Sequence, residues 1–199
     1  MRPLRFGFAV LLTVWVFLAA SQAGTVEVIE GSHFSRTFGE WRHYRLIRPR
    51  DYETSGKYYP VIYYFHGHSG RFKGEQYGNG QMFLSDMIDF VHRNDVLIVR
   101  WDGWVEEDYD DFYGGTPYDI QSKGRGMDFG AYFLELVDHI DSTYRTVEDR
   151  RHRATSGLSM GGFMSLYISG RYPHLVGSAS AFNPAHENHV GPELSLIHI

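Results

Sequence analysis

The sequence contains no cysteine, so the protein forms no disulfide bonds and offers no thiolate for catalysis or metal binding. It also has no excess of basic residues, because 19 lysines and arginines stand against 24 acidic residues, for a formal net charge of −5. This weakly acidic balance argues against nucleic acid or an anionic lipid surface as the main partner. No internal repeat, low-complexity tract or linker-like stretch is present, which predicts a single domain.

The one long apolar run is at the N-terminus. Arg2 and Arg5 precede an apolar stretch of about 15 residues, and small residues ending at Ala23 suit cleavage by a signal peptidase. The stretch is short for a membrane span, although an uncleaved anchor helix is the alternative. We therefore predict a signal peptide over residues 1–23. The mature chain of 176 residues, with a net charge near −7, would be secreted or periplasmic and without a stable membrane anchor.

The most informative stretch is Gly157-Leu158-Ser159-Met160-Gly161, which matches the pattern Gly-x-Ser-x-Gly and is followed by Gly162. In such a nucleophile elbow a serine leaves a strand, turns sharply and enters a helix. Glycines flank it because the turn leaves no room for side chains. We predict Ser159 as the catalytic nucleophile and the backbone N–H of Met160 as an oxyanion donor. An ordinary strand-to-helix turn is the alternative.

The residues around this motif favour the elbow. A helix-compatible run covers residues 163–169, with Gly170 placed to cap the helix and Pro173 just beyond it. The strand expected before the serine, over residues 151–155, is only weakly indicated because it is short and of mixed polarity.

The motif GLSMGG, the helix ending in RYP and the run LVGSASAFN over residues 175–183 together resemble the putative-esterase (esterase D-like) family of α/β-hydrolases. That family includes feruloyl and acetyl-xylan esterases, S-formylglutathione hydrolases and mycolyltransferases. The resemblance covers residues 41–184, and the serine motif is its most specific part. It implies an α/β-hydrolase fold, a central and mostly parallel sheet with helices on both faces, and catalysis without a cofactor.

A second motif, His66-Gly67-His68-Ser69-Gly70, follows the predicted strand 61–65. The resemblance implies that the backbone N–H of His68 is the second oxyanion donor. Two alternatives remain. His66 and His68 could form a metal-binding pair, although no third ligand falls at a recognisable spacing. A polar loop with an incidental histidine is the other.

Periodicity predicts the remaining elements. Alternation predicts strands over residues 25–30 and 41–48, the antiparallel opening of the fold. Buried parallel strands are expected at residues 61–65, 95–101 and 175–182. Apolar residues at steps of three and four predict helices over residues 80–92 and 128–144. The acidic, aromatic stretch from Asp102 to Tyr113 is interpreted as a solvated charge run, with a cation site or a substrate-binding loop as alternatives.

The C-terminal part does not complete a catalytic triad. Serine hydrolysis requires a base and an acid, which in α/β-hydrolases follow the nucleophile in the order Asp or Glu, then His. We nominate none of the candidates after Ser159, which are His174, His186, Glu187, His189, Glu193 and His198. We expect a single domain over residues 24–193, truncated at its C-terminus, and a non-native tail over residues 194–199.

The sequence thus predicts a secreted serine carboxylic-ester hydrolase that acts through an acyl-enzyme on a small-molecule or polysaccharide ester. This chain would be an inactive fragment lacking the catalytic His and Asp/Glu. An acyltransferase of the same family is one alternative, because an alcohol could replace water as the acyl acceptor. A non-catalytic, hydrolase-like binding module is the other, since such a protein would also lack the base.

Overall fold

The computed structural model describes residues 27–67, 70–75, 83–103 and 128–184. The predicted signal peptide, His68, most of the acidic stretch and the C-terminal tail lie outside these residues, and the domain boundaries 24 and 193 stay predictions. Among the described residues, none of the helices has the length and apolar character needed to cross a membrane.

Eight strands and four helices make up the described structure. The strands are β1 (Glu27–Ser35), β2 (Glu40–Arg48), β3 (Val61–Phe65), β4 (Gly70–Arg71), β5 (Gly74–Glu75), β6 (Leu97–Trp101), β7 (Arg153–Leu158) and β8 (Ser178–Phe182). The helices are α1 (Tyr52–Ser55), α2 (Leu84–Arg93), α3 (Phe129–Thr143) and α4 (Met160–Arg171).

Six of the strands form one sheet in the order β1-β2-β6-β3-β7-β8. The hairpin β1–β2 and the pair β2–β6 are antiparallel, whereas β6, β3, β7 and β8 run parallel to one another. The small β4–β5 hairpin stands apart from this sheet. The central strand β3 pairs on both sides and is almost wholly buried, as its continuous run of β-branched and aromatic residues predicts.

Helices cover the two faces of the sheet unequally. On one face α3 and α4 pack over the larger apolar core, whose fully buried side chains include Phe65, Leu97 and Phe133. On the other face α2 packs over a smaller core around Ile47, Tyr64 and Val91. This arrangement confirms the predicted α/β architecture of a mostly parallel sheet between helices.

Helix α3 follows its predicted bounds closely. Asp128 caps its start by accepting a hydrogen bond from the Ala131 N–H at 2.9 Å, and Tyr144 ends it. The predicted apolar stripe is buried, with Phe129, Phe133, Leu136 and Ile140 all at 0% exposure.

Several predicted boundaries are wrong. Helix α2 begins at Leu84 and not at residue 80, because Phe83 adopts a left-handed conformation (φ 62°). Helix α4 continues through Gly170 to Arg171 and ends at Tyr172, whose N–H bonds to the Ile168 carbonyl, so Gly170 does not cap it. Strand β8 begins at Ser178, since a turn occupies residues 173–175.

Strand β7 is longer than its weak sequence signal predicts, and it starts later, after a short 3₁₀ turn at Arg150–His152. Its buried residues toward α4 include Thr155 and Gly157, both small because the helix lies close. The hydroxyl of Thr155 accepts a hydrogen bond from the Ser165 hydroxyl of α4 at 2.9 Å. A strand built from small and polar residues lacks the apolar alternation that sequence patterns detect.

Candidate active site

Ser159 lies between β7 and α4, at the strand–turn–helix position that the motif predicts. Its backbone has φ 53° and ψ −115°, a conformation that L-residues rarely adopt and that costs roughly 1–3 kcal/mol. The side chain is partly exposed and does not cap the helix. The Ser159 N–H donates to the carbonyl of Phe182 in β8 at 2.9 Å, which ties the turn to the neighbouring strand.

The flanking glycines are required by close backbone packing. A Cβ on Gly157 would lie 2.2 Å from the carbonyl oxygen of Gly161, and a Cβ on Gly161 would lie 2.0 Å from the carbonyl oxygen of Phe65. Both distances are far below any real Cβ contact. The first turn of α4 therefore rests directly on the end of β3, which brings Ser159 next to the segment that starts with His66.

Met160 is the first residue of α4 and is buried. The N–H groups in the first turn of a helix point out of its amino end, where the helix dipole favours negative charge. This position suits the predicted role of the Met160 N–H as an oxyanion donor, which stays a prediction. The second predicted donor, His68, lies outside the described residues.

The imidazole of His66 is buried and joins two backbone segments. Its Nδ1 lies 2.7 Å from the carbonyl oxygen of Gly67, and its Nε2 accepts a hydrogen bond from the Gly103 N–H at 2.8 Å. A carbonyl oxygen has no proton to give, so Nδ1 carries the proton and Nε2 the lone pair. This bonding conflicts with the metal-pair alternative, because it leaves His66 no lone pair for a metal ion. Among the described residues, no three candidate ligands cluster together.

Asp102 follows β6 at the same edge of the sheet and is 1% exposed. Its carboxylate accepts two hydrogen bonds from Arg71, from Nε at 2.8 Å and from Nη2 at 2.6 Å. Its backbone carbonyl accepts a hydrogen bond from the buried Arg42. The interpretation of this stretch as a solvated charge run is therefore wrong for Asp102, while residues 104–113 lie outside the described structure.

Three of the described histidines, His174, His33 and His139, lie in other parts of the fold. His174 follows α4, whose 12 residues extend about 18 Å from Ser159. His33 and His139 stack on each other on the flank of β1 and α3, with ring centroids 4.8 Å apart. Burial disfavours the charged imidazole and, together with His139, lowers the pKa of His33 to about 4. In the part of the chain that the structure describes, no hydrogen bond links Ser159 Oγ to a histidine.

Sequence reasoning missed the bridging role of His66 and the Arg71–Asp102 pair. A signal was present, because His66 and Asp102 each directly follow a buried parallel strand. Polar residues at the carboxyl ends of such strands meet at one edge of the sheet, where α/β proteins build their sites. The pairing partners, 31 and 37 residues away, have no local signal.

Comparison with known proteins agrees with this geometry. The family model described as "Putative esterase" matches residues 35–190, which include the elbow and the His66 segment. This chain belongs to that esterase family. Two curated esterases, from two strains of Mycobacterium tuberculosis, are each 30% identical over 151 residues. The match covers 70% of this chain and 28% of each relative, so the chain spans less than a third of their length.

Solved structures similar to this esterase-family chain share its fold. A ferulic acid esterase from the anaerobic fungus Anaeromyces mucronatus superposes with a TM-score of 0.61 at 23% identity, covering 83% of this chain and 62% of that one. An S-formylglutathione hydrolase from Agrobacterium tumefaciens gives a TM-score of 0.67 at 18% identity, covering 81% and 59%. The fold is thus the α/β-hydrolase fold, as the resemblance implied.

Proposed function

We propose that this chain carries the nucleophile and the oxyanion-binding elements of a secreted serine carboxylic-ester hydrolase. The observation that carries the proposal is the conformation of Ser159. Strain in the left-handed region persists only where the surrounding structure enforces it, and here Gly157, Gly161 and the carbonyl of Phe182 do so. Family membership supports ester hydrolysis as the reaction.

In the proposed mechanism, Ser159 Oγ attacks the ester carbonyl carbon while a base takes the hydroxyl proton. The carbonyl oxygen becomes an oxyanion, stabilised by the N–H groups of Met160 and His68. The bond between the carbonyl carbon and the alcohol oxygen then breaks. The base returns the proton to that oxygen, the neutral alcohol leaves, and an acyl-enzyme remains. Water attacks the acyl-enzyme to release the acid and restore the serine. The residues described here supply no base, and the mechanism needs no cofactor.

The substrate class is proposed as a small-molecule or polysaccharide ester outside the cytoplasm. The predicted signal peptide supports this location, and the similar fungal structure is named for its action on ferulic acid esters. An acyltransferase would differ only in using an alcohol as the acceptor of the acyl group.

A fluorophosphonate probe tests the proposal, because it phosphonylates only an activated serine. We expect labelling of Ser159 in the longest form of the protein that contains this chain, located by mass spectrometry of the tryptic peptide. Ser169→Ala, on the same helix, should label normally, whereas Ser159→Ala should not label. An unlabelled protein that still binds carbohydrate or a cell-surface partner would identify a non-catalytic module instead.

A further inference from the structure

Three contacts clamp the turn that follows β3. The Gly70 N–H donates to the Gly67 carbonyl at 2.9 Å and closes the turn. The same Gly67 carbonyl lies 2.7 Å from Nδ1 of His66, so two hydrogen bonds converge on one oxygen. Directly after the turn, Arg71 donates two hydrogen bonds to the Asp102 carboxylate, from Nε and from Nη2.

These contacts converge on one short segment, Asp102–Gly103, at the end of β6. Asp102 holds Arg71 at one end of the turn, and the Gly103 N–H holds His66 at the other. The segment is itself anchored, because the Asp102 carbonyl accepts from Arg42, a side chain that is 2% exposed and lies over the Tyr132 ring. The residues on either side of the turn, His66 and Arg71, are thereby tied to the sheet by residues that are distant in sequence.

The chain that leads into the turn also lies against α4, the helix that begins just after Ser159. Because a Cβ on Gly161 would meet the carbonyl oxygens of Phe65 and His66 at 2.0 and 2.5 Å, α4 lies directly against the chain that leads into the turn. The chain that enters the turn is therefore held from both sides, by α4 and by Asp102–Gly103.

We propose that His66 and the Arg71–Asp102 pair are positioning residues that hold Gly67 and Gly70, the two described ends of the turn, in register with Ser159. The inference rests on the proposed function, because the turn is where the second oxyanion donor is predicted. The hydrogen bonds of His66 reach Gly67 and Gly103, and those of Arg71 reach Asp102, so both residues act through other groups. The imidazole acts through its tautomer, with a proton on Nδ1 for the Gly67 carbonyl and a lone pair on Nε2 for the Gly103 N–H.

The chain provides a control, a second arginine–aspartate pair at the side of the sheet where the parallel strands begin. Arg153 Nη2 lies 2.5 Å from Asp141 Oδ2, and both side chains are largely buried. Arg71→Lys and Arg153→Lys both keep the charge and remove the guanidinium group. Arg71 loses its two bonds to Asp102, and Arg153 loses its bonds to Asp141 and to the Leu175 carbonyl. Only the first borders the turn.

The first measurement is hydrogen exchange, which does not depend on activity. In Arg71→Lys and in His66→Gln we expect faster exchange at the amides of Gly70 and Gly103, while Arg153→Lys should leave both protected. Unchanged protection of both amides in both variants would overturn the proposal. Should His66→Gln fail to fold, Arg71→Lys alone decides the result.

The second measurement is ester hydrolysis by the longest form of the protein that contains this chain. Since a displacement of about 1 Å can cost about 100-fold in rate, Arg71→Lys and His66→Gln should lower kcat by about 10- to 100-fold and leave KM within about twofold. Arg153→Lys should leave kcat unchanged. Equal losses of kcat in Arg71→Lys and Arg153→Lys would show a merely structural role and overturn the proposal. A parent protein with no labelling at Ser159 would instead reject the proposed function, and the exchange measurement would still decide whether the clamp exists.

Discussion

The parallel strands begin at one side of the central sheet, the amino edge, and end at the other, the carboxyl edge. Each edge has an arginine–aspartate pair, yet the pairs connect different parts of the molecule. At the amino edge, Arg153 at the start of β7 binds Asp141 in the last turn of α3, and Asp141 also accepts from the Thr146 hydroxyl at 2.7 Å. At the carboxyl edge, Arg71 binds Asp102, and both lie in segments that follow strands. The first pair joins a helix to a central strand, and the second joins the two-residue strand β4 to the residue that follows β6.

The two edges also differ in backbone strain. The carboxyl edge contains the strained Ser159 and the close approach of Gly161 to β3. At the amino edge, a Cβ on Gly177 would also meet a backbone oxygen, that of Arg150, at 2.3 Å, but neither Gly177 nor Arg153 adopts a positive φ. This difference in backbone strain is what we expect if the amino edge mainly stabilises the fold and the carboxyl edge holds the proposed functional groups at a cost in stability.

We expect the largest effect from a substitution of the proposed nucleophile at the carboxyl edge. Ser159→Ala removes the nucleophile and should lower the rate of p-nitrophenyl ester hydrolysis by a factor of about 10⁶ in a form of the protein that is active. The far-ultraviolet circular dichroism spectrum should not change, because the hydroxyl does not cap α4. Ser169→Ala is the control on the same helix, and substantial activity in Ser159→Ala would contradict the assignment.

We expect the next largest effect from a substitution at the amino edge, where the Arg153–Asp141 pair stabilises the fold. Arg153→Met leaves Asp141 largely buried without its cation, so the free energy of unfolding should fall by about 3–5 kcal/mol in urea denaturation. Activity per folded molecule should persist. Arg36→Met is the contrasting control, because Arg36 is 86% exposed and lies 3.9 Å from Glu135, and it should change stability by less than about 1 kcal/mol. A loss of kcat in folded Arg153→Met would contradict the view that the amino edge serves stability and the carboxyl edge serves activity.

A smaller effect concerns the flank of β1 and α3. There His33 stacks between Tyr132 and His139, and Glu135 and Arg42 also act on it. Because the pKa of His33 falls from 6.5 unfolded to about 4 folded, the unfolded chain binds more protons as the pH drops. Stability present above pH 6.5 should therefore be lost toward pH 4, by about 2–3 kcal/mol.

Denaturation curves between pH 7 and pH 4 measure this loss. The variant His33→Phe keeps a stacked ring without a titrating group and should flatten the pH dependence. The exposed His174→Phe should leave the dependence as it is. An identical loss in His33→Phe and the parent protein would rule out His33 as its source.

The smallest effect tests the contact between the nucleophile turn and β3. Gly161→Ala forces a Cβ against the Phe65 carbonyl and should destabilise the fold by about 1–3 kcal/mol, with a loss of activity. Gly130→Ala is the matched control in the first turn of α3, where the nearest atom is the terminal Nη1 of the Arg171 side chain. That side chain can move, so Gly130→Ala should be neutral or slightly stabilising. Equal destabilisation by both substitutions would show that the close approach of α4 to β3 has no special role.

Local sequence patterns predict an element correctly where each of its faces meets only one kind of surroundings, either apolar core or solvent. The run Val61–Phe65 predicts a central strand because both of its faces meet apolar side chains, and the stripe of α3 predicts a helix because one face meets the core. Strand β7 was poorly predicted because it packs against a helix through small residues. Helix α4 continues past Gly170 to Arg171, which pairs with Asp128 at the start of α3 at 3.2 Å, a contact that no local pattern indicates.

The sequence by itself determined the family, the strand–turn–helix around Ser159 and the buried strands, since these depend on the sizes and polarities of neighbouring residues along the chain. Only the tertiary structure decided that His66 bridges to Gly103 and that Arg71 pairs with Asp102. Those contacts depend on β3 and β6 lying side by side with their carboxyl ends aligned. Strand order and register are properties of the whole sheet, and no local stretch of sequence encodes them.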